Sequence, residues 1–208
     1  MTQRQVFPPL SLHLRALACG RGGMVLVEGL ELVVPAGTGL LLRGPNGAGK
    51  STLLMTLAGL IPPLGGAVEL AGQDGEAGPA IHYCGHRNAV RPRLGVAETL
   101  AFWTAVNGAS GLGVADALER VGLARQARLD AGHLSAGQQR RLALARLLVT
   151  ARPVWLLDEP TAALDAEGHG LLEAMLAEHL AAGGLAVVAT HETLDLAGLR
   201  TLDLGATA

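Results

Sequence analysis

The chain has 208 residues, with 16 basic and 18 acidic side chains, a formal charge of −2, half of its residues apolar and only five aromatic. That length suits one domain, with or without a small subdomain, and is enough to bury a sizeable core. A near-neutral balance without a basic run argues against a dedicated nucleic-acid binder, so no nucleic-acid partner is expected. No stretch of about 18 uncharged apolar residues offers a membrane span, and MTQRQVFPPLSLHL lacks the apolar core of a secretory signal. Cys19 and Cys84 have no metal-ligand spacing and are expected as cytosolic thiols in a soluble, globular, intracellular chain.

The first 40 or so residues are rich in Gly and Val without a helical period, which predicts hairpin strands. GLLLR (39–43), VWLLD (154–158) and LAVVAT (185–190) are short apolar runs bounded by Gly, Pro or charge. They are predicted as buried strands, because alternation is absent and each is too short for a helix. Helical patterns cover 50–60, 138–150 and 167–182, so strands and helices alternate as in an α/β fold with a mainly parallel sheet. Between 88 and 132 no strand is evident. Short helices are predicted at 96–106 and 114–123, joined by NGASGLG, as a small helical subdomain. The glycines at 65–66 and 72–78 are predicted as turns.

Fifteen of the 16 basic residues are Arg, and Lys50 is the only lysine. It stands in Gly44-Pro45-Asn46-Gly47-Ala48-Gly49-Lys50-Ser51-Thr52, which fits G-x-x-x-x-G-K-[ST] between a predicted strand and a predicted helix. The glycines let the backbone curl so that several N–H groups face one anion, and the new helix turns its positive end towards it. Lys50 then reaches the β- and γ-phosphates and the Ser51 hydroxyl ligates Mg²⁺. ATP and Mg²⁺ are the expected ligands. Asp158 and Glu159 directly follow an apolar strand, where adjacent side chains point different ways. Asp158 suits the Mg²⁺ side, and Glu159 suits the general base that polarises water.

Leu134-Ser135-Ala136-Gly137-Gln138 heads a helical pattern and is locally a capping box, with Ser135 and Gln138 exchanging bonds. Ahead of Asp158, and in a chain with a P-loop, it resembles the L-S-G-G-Q signature of the ATP-binding subunits of ABC transporters, with Ala136 for one glycine. Ser135 and its helix start form a second anion site, suited to a γ-phosphate from the far side. Asp165 in ALD looks like the D-loop aspartate, and Thr190-His191 looks like the switch histidine, whose family role is to contact the γ-phosphate and orient Glu159. The resemblance implies one ABC ATP-binding domain. Residues 10–86 and 150–208 would form its α/β core with an N-terminal antiparallel part, and 87–149 the helical subdomain. It also implies a homodimer, each ATP lying between the P-loop of one copy and the signature of the other, docked under a membrane permease subunit.

Two family features are absent. The Q-loop glutamine position falls on His86, which can bond water or a metal other than Mg²⁺ but is no amide. The aromatic that stacks on adenine is replaced nearby by Arg21, either a stacking guanidinium or a solvated loop residue. LAC at 17–19, GHR at 85–87, ETLAFW and LSAGQQRRLALARLL resemble the ATPase subunit of the bacterial haem exporter of cytochrome c maturation. That resemblance implies cytochrome c maturation factors as further partners and a peripheral location on the cytoplasmic face of the inner membrane. Phe102 and Trp103 pack the subdomain core or anchor the permease. Other readings are a different small ABC exporter or an ATP-switched clamp without transport. A clamp of that kind usually brings coiled coils or a second cassette.

Overall fold

The structure is a computed structural model describing residues 6–73 and 79–205. The chain begins with an antiparallel hairpin, β1 (Ser11–Arg21) and β2 (Met24–Val34). Gly22 and Gly23 form its two-residue turn with φ of 60° and 83°, the left-handed pair that a primed turn demands. Next come β3 (Gly39–Arg43), α1 (Lys50–Leu57), β4 (Gly65–Ala71) and β5 (Ile81–Cys84). Three helices follow, α2 (Val96–Asn107), α3 (Val114–Arg120) and α4 (Ala136–Val149). The chain then runs through β6 (Val154–Asp158), α5 (Ala166–Ala181), β7 (Leu185–Ala189) and β8 (Leu199–Asp203).

Two sheets form. β2-β1-β4 is antiparallel, and β5-β6-β7-β3-β8 is parallel throughout. All five residues of β6 and of β7 are buried, the pattern of central parallel strands covered on both faces. The expected α/β class with an antiparallel N-terminal part and a helical insertion is what the chain adopts. One expectation needs correction. Gly65 and Gly66 open strand β4 instead of forming a turn: Gly65 pairs with Ala18 towards the far end of β1, and Gly66 falls in the irregularity before Ala67 pairs with Arg15. Gly72 does lie in a turn, while 74–78 fall outside the described residues. Beyond Leu185–Ala189 a further strand, β8, extends the sheet on the far side of β3.

The chain divides into two compact units. One comprises the chain up to Gly85, Arg152–Glu159 and the stretch from Met175 on; the other comprises His86–Ala151 and Pro160–Ala174. The second unit therefore takes in 160–174, a stretch that the sequence assigned to the α/β core. In the first unit, Leu12, Leu14 and Leu17 of β1, Leu40 and Leu42 of β3, Leu53, Leu54 and Leu57 of α1, and Leu156 of β6 share one core. Helix α1 is buried at six of its eight positions, which fixes the P-loop that precedes it. In the second unit, Leu100 of α2, Leu118 of α3 and Leu142 and Ala145 of α4 form a separate core. Among the described residues no helix is long and apolar enough to cross a membrane.

A buried histidine supports the first unit. His179 of α5 stacks on Trp155 of β6 at 3.9 Å between centroids and bonds the Leu185 carbonyl at 3.2 Å. Burial pushes its pKa down to about 4, against smaller opposing effects of the Leu185 and Pro153 carbonyls. The fold thus holds His179 neutral while the unfolded chain protonates it near 6.5, so stability falls as pH drops from about 6.5 to about 4. The loss is about 3 kcal/mol for a shift of this size. Thermal melting followed across that window should show a steep decline that His179→Phe flattens; equal slopes would contradict it.

Candidate functional site: a P-loop at the strand ends

In the sheet order β6-β7-β3, the carboxyl ends of three neighbouring strands lead into Asp158-Glu159, Thr190-His191 and Gly44. Crevices outside the carboxyl ends of parallel strands are where α/β sheets bind ligands. Gly44, Gly47 and Gly49 have φ of 135°, 87° and 96°, a backbone path closed to most L residues, and it curls Gly44–Gly49 over the start of α1. The Ala48 N–H donates to the Pro45 carbonyl, tightening the curl. Lys50 is buried at 8% exposure, and its ammonium donates to the carbonyls of Gly44 at 2.7 Å and Pro45 at 3.0 Å. The loop is folded around the chain's one lysine. Thr52 is buried behind it, its carbonyl accepting from the Thr56 hydroxyl.

Ser51 donates its hydroxyl to Asp158 Oδ1 at 3.0 Å, which sets two hard oxygen atoms side by side. This donor set suits Mg²⁺, which takes one or two protein oxygens beside phosphate and water. Tyr83 of β5 lies near enough that the Asp158 charge, after the larger effect of burial, helps push its phenol up to about 12. Glu159 follows Asp158 and meets a different partner. Its Oε1 lies 3.4 Å from His191 Nε2, which also meets Asn46 Oδ1 at 3.1 Å. Nε2 must carry the hydrogen to serve both oxygens, so the two neighbours select the tautomer. Arg43 donates to the His191 carbonyl at 2.6 Å and holds the loop after β7 in place. Sequence reading passed over Arg43 because nothing in GLLLR separates a clamp from a strand-end charge.

The second unit carries the serine-led helix start. Ser135 Oγ accepts from the Gln138 N–H at 3.2 Å, and Gln138 Oε1 accepts from the Ser135 N–H at 3.0 Å. That reciprocal pair fixes the first turn of α4. A Cβ on Gly137 would come 2.7 Å from the Ala163 carbonyl, so a side chain is excluded there, whereas Ala136 is accommodated. Asp165 Oδ1 accepts from the Gly168 N–H at 2.9 Å and starts α5. Asn46, Lys50, Ser51, Asp158, Glu159 and His191 thus gather in the first unit, and Ser135, Ala136, Gly137, Gln138 and Asp165 in the second. Arg21 is exposed at the end of β1, and His86 is exposed where the second unit begins.

The family model for ABC transporters matches residues 27–162. With its P-loop at the ends of a parallel sheet and a capped LSAGQ helix, the chain belongs to the ABC transporter family, as an ATP-binding subunit. The cytochrome c biogenesis ATP-binding export protein CcmA of Rhizobium meliloti (strain 1021) is 46% identical over 204 residues, covering 94% of this chain and 98% of that protein. The protein of the same name from Paracoccus denitrificans (strain Pd 1222) is 50% identical over 194 residues, covering 93% and 89%. Among solved structures, one assigned as an ABC transporter ATP-binding protein of Pyrococcus furiosus superposes with a TM-score of 0.79 at 25% identity, covering 92% of this chain and 97% of its own.

Proposed function

We propose that the chain is the ATP-hydrolysing subunit of a membrane export complex serving cytochrome c biogenesis, haem being the expected cargo. The observation that carries the ATPase part is the cluster around one P-loop, with Ser51 bonded to Asp158 and His191 set between Asn46 and Glu159. The biogenesis part rests on relatives of that name at 46–50% identity over nearly the whole chain.

In this reading Lys50 and the N–H groups of Gly44–Thr52 hold the triphosphate. Ser51 and Asp158 hold Mg²⁺, which when bound neutralises charge on the β- and γ-phosphates. Glu159 accepts a proton from water while the water oxygen bonds the γ-phosphorus and the bond to the β-bridging oxygen breaks, giving ADP and inorganic phosphate. His191 orients Glu159 and the water. Ser135, Ala136, Gly137 and Gln138 of a second copy, beside Asp165, close the nucleotide from the far side. ATP draws the two copies together and loss of the γ-phosphate releases them, the stroke that a permease subunit would convert into transport.

The subunit would then lie peripherally on the cytoplasmic face of the inner membrane, with a permease and the cytochrome c maturation factors as partners. Phe102 of α2, 45% exposed with Arg91 over its ring, fits an anchor for the permease. Trp103 packs against the second core with Arg146 over its ring. Deleting the gene should remove every c-type cytochrome and spare b-type ones, read by haem staining of membrane proteins. Normal c-type content would overturn the biogenesis assignment and leave the ATPase reading standing.

A further inference from the structure

Arg43, the last residue of β3, and Asn46 of the P-loop flank Gly44-Pro45, and all four lie in the first unit. These four residues serve two partners of that same unit. The inner pair, Gly44 and Pro45, offers its carbonyls to the Lys50 ammonium at 2.7 and 3.0 Å. The outer pair takes His191: Arg43 Nη1 donates to its carbonyl at 2.6 Å, and Asn46 Oδ1 lies 3.1 Å from its Nε2. One histidine is thus gripped at its backbone and at its ring by residues three apart in the chain. Pro45 stiffens the spacer between the two grips, because its ring fixes φ.

His191 needs such a hold. The described residues 190–198 run from β7 to β8 without a helix or strand, and the Gly198 carbonyl at the far end accepts from the Gly39 N–H at 3.2 Å. At the near end the Glu192 N–H donates to the Thr190 hydroxyl at 3.1 Å, a bond within the loop itself. The His191 side chain is 53% exposed, so packing does not fix its ring. Arg43 is placed quite differently. Strand β3 lies between β7 and β8, and the Arg43 carbonyl accepts from the Leu204 N–H at 2.9 Å. The pairing of Leu42 with Ala189 puts Arg43 level with Thr190, beside the carbonyl that it grips. A guanidinium bond to a carbonyl is charge-assisted and about twice as strong as a neutral one.

We infer that Arg43 is a positioning residue for His191. By holding the histidine's carbonyl from the end of β3, it keeps the ring where Asn46 and Glu159 meet it, 3.1 and 3.4 Å from Nε2. The histidine is thereby kept in register with the lysine, since both are held by residues 43–46. This rests on the reading of His191 as the group that orients Glu159 and the water. The grip on Lys50 uses main-chain carbonyls, so loss of the Arg43 side chain leaves that grip in place.

The test uses the full-length purified chain with ATP and Mg²⁺. R43M keeps an unbranched apolar stem and removes the donors. It should lower kcat about tenfold, the scale expected when a group is displaced from its working geometry, with KM for ATP close to parental. Its melting midpoint should also stay close to parental, since Arg43 is partly exposed. R43K, which keeps a cationic donor on a flexible stem, should recover most of the lost rate. H191A should be slower than R43M, and the H191A/R43M double variant no slower than H191A, because a misplaced ring is of no consequence once the ring is gone. R43M with parental kcat beside an impaired H191A, a loss that sits in KM, R43K no faster than R43M, or a further tenfold loss in the double variant would each overturn the positioning role alone. Parental turnover by H191A would overturn that role and the orienting role of His191 together.

Discussion

Glu159→Gln is expected to lower steady-state ATP hydrolysis by roughly 10²-fold or more, the usual weight of a positioned general base. Glutamine has the same shape and leaves the backbone at this position unchanged, but its amide cannot take a proton from water. The groups proposed to hold the phosphates are elsewhere: Lys50 is bonded to the loop carbonyls and Ser51 to Asp158. ATP binding should therefore persist within a fewfold. With hydrolysis blocked, the nucleotide stays intact, and the variant should elute as a dimer on gel filtration with ATP and as a monomer with ADP. Parental turnover would remove Glu159 from the mechanism, and a monomer at high concentration with saturating ATP would count against closure by a second copy.

Lys50→Ala is expected to abolish hydrolysis through binding. The ammonium is nearly buried in its own loop at 8% exposure, and no other lysine exists to take its place. Each charge-assisted bond to a phosphate oxygen is worth about 1.5–3 kcal/mol, so losing two costs at least about 10²-fold in ATP affinity. Lys50→Arg should fail as well, since a planar fork replaces a compact charge in a closed loop. Without nucleotide the variants should melt close to the parent, because the Gly44 and Pro45 carbonyls released by the change can be taken up by water. Calorimetric titration with ATP and a phosphate-release assay check both halves. Turnover near the parental rate would dismiss the P-loop assignment.

Much of the site was legible in the sequence because its signals are local. The run VWLLD coincides with β6 because a strand buried on both faces must be apolar at every position. The start of α4 was legible because Ser135 and Gln138 cap it without outside help. The edge strands were not. Leu199–Asp203 alternates half-exposed Leu with Arg and Thr, and Ile81–Cys84 is four residues long with His82 inside it. Both strands are defined by the partner they pair with, which no local pattern reveals. His191 was readable as a strand-end residue, but its bond to Asn46 joins residues 145 apart and depends on β7 lying next to β3.

The most direct test of a triphosphate gripped from two sides is a crystal structure of the Glu159→Gln variant with ATP and Mg²⁺. Ser135 Oγ of one copy should lie within hydrogen-bond reach, about 3 Å, of the γ-phosphate held by Lys50 of the other. Finding Ser135 remote from every terminal phosphate, in either copy, would contradict the account.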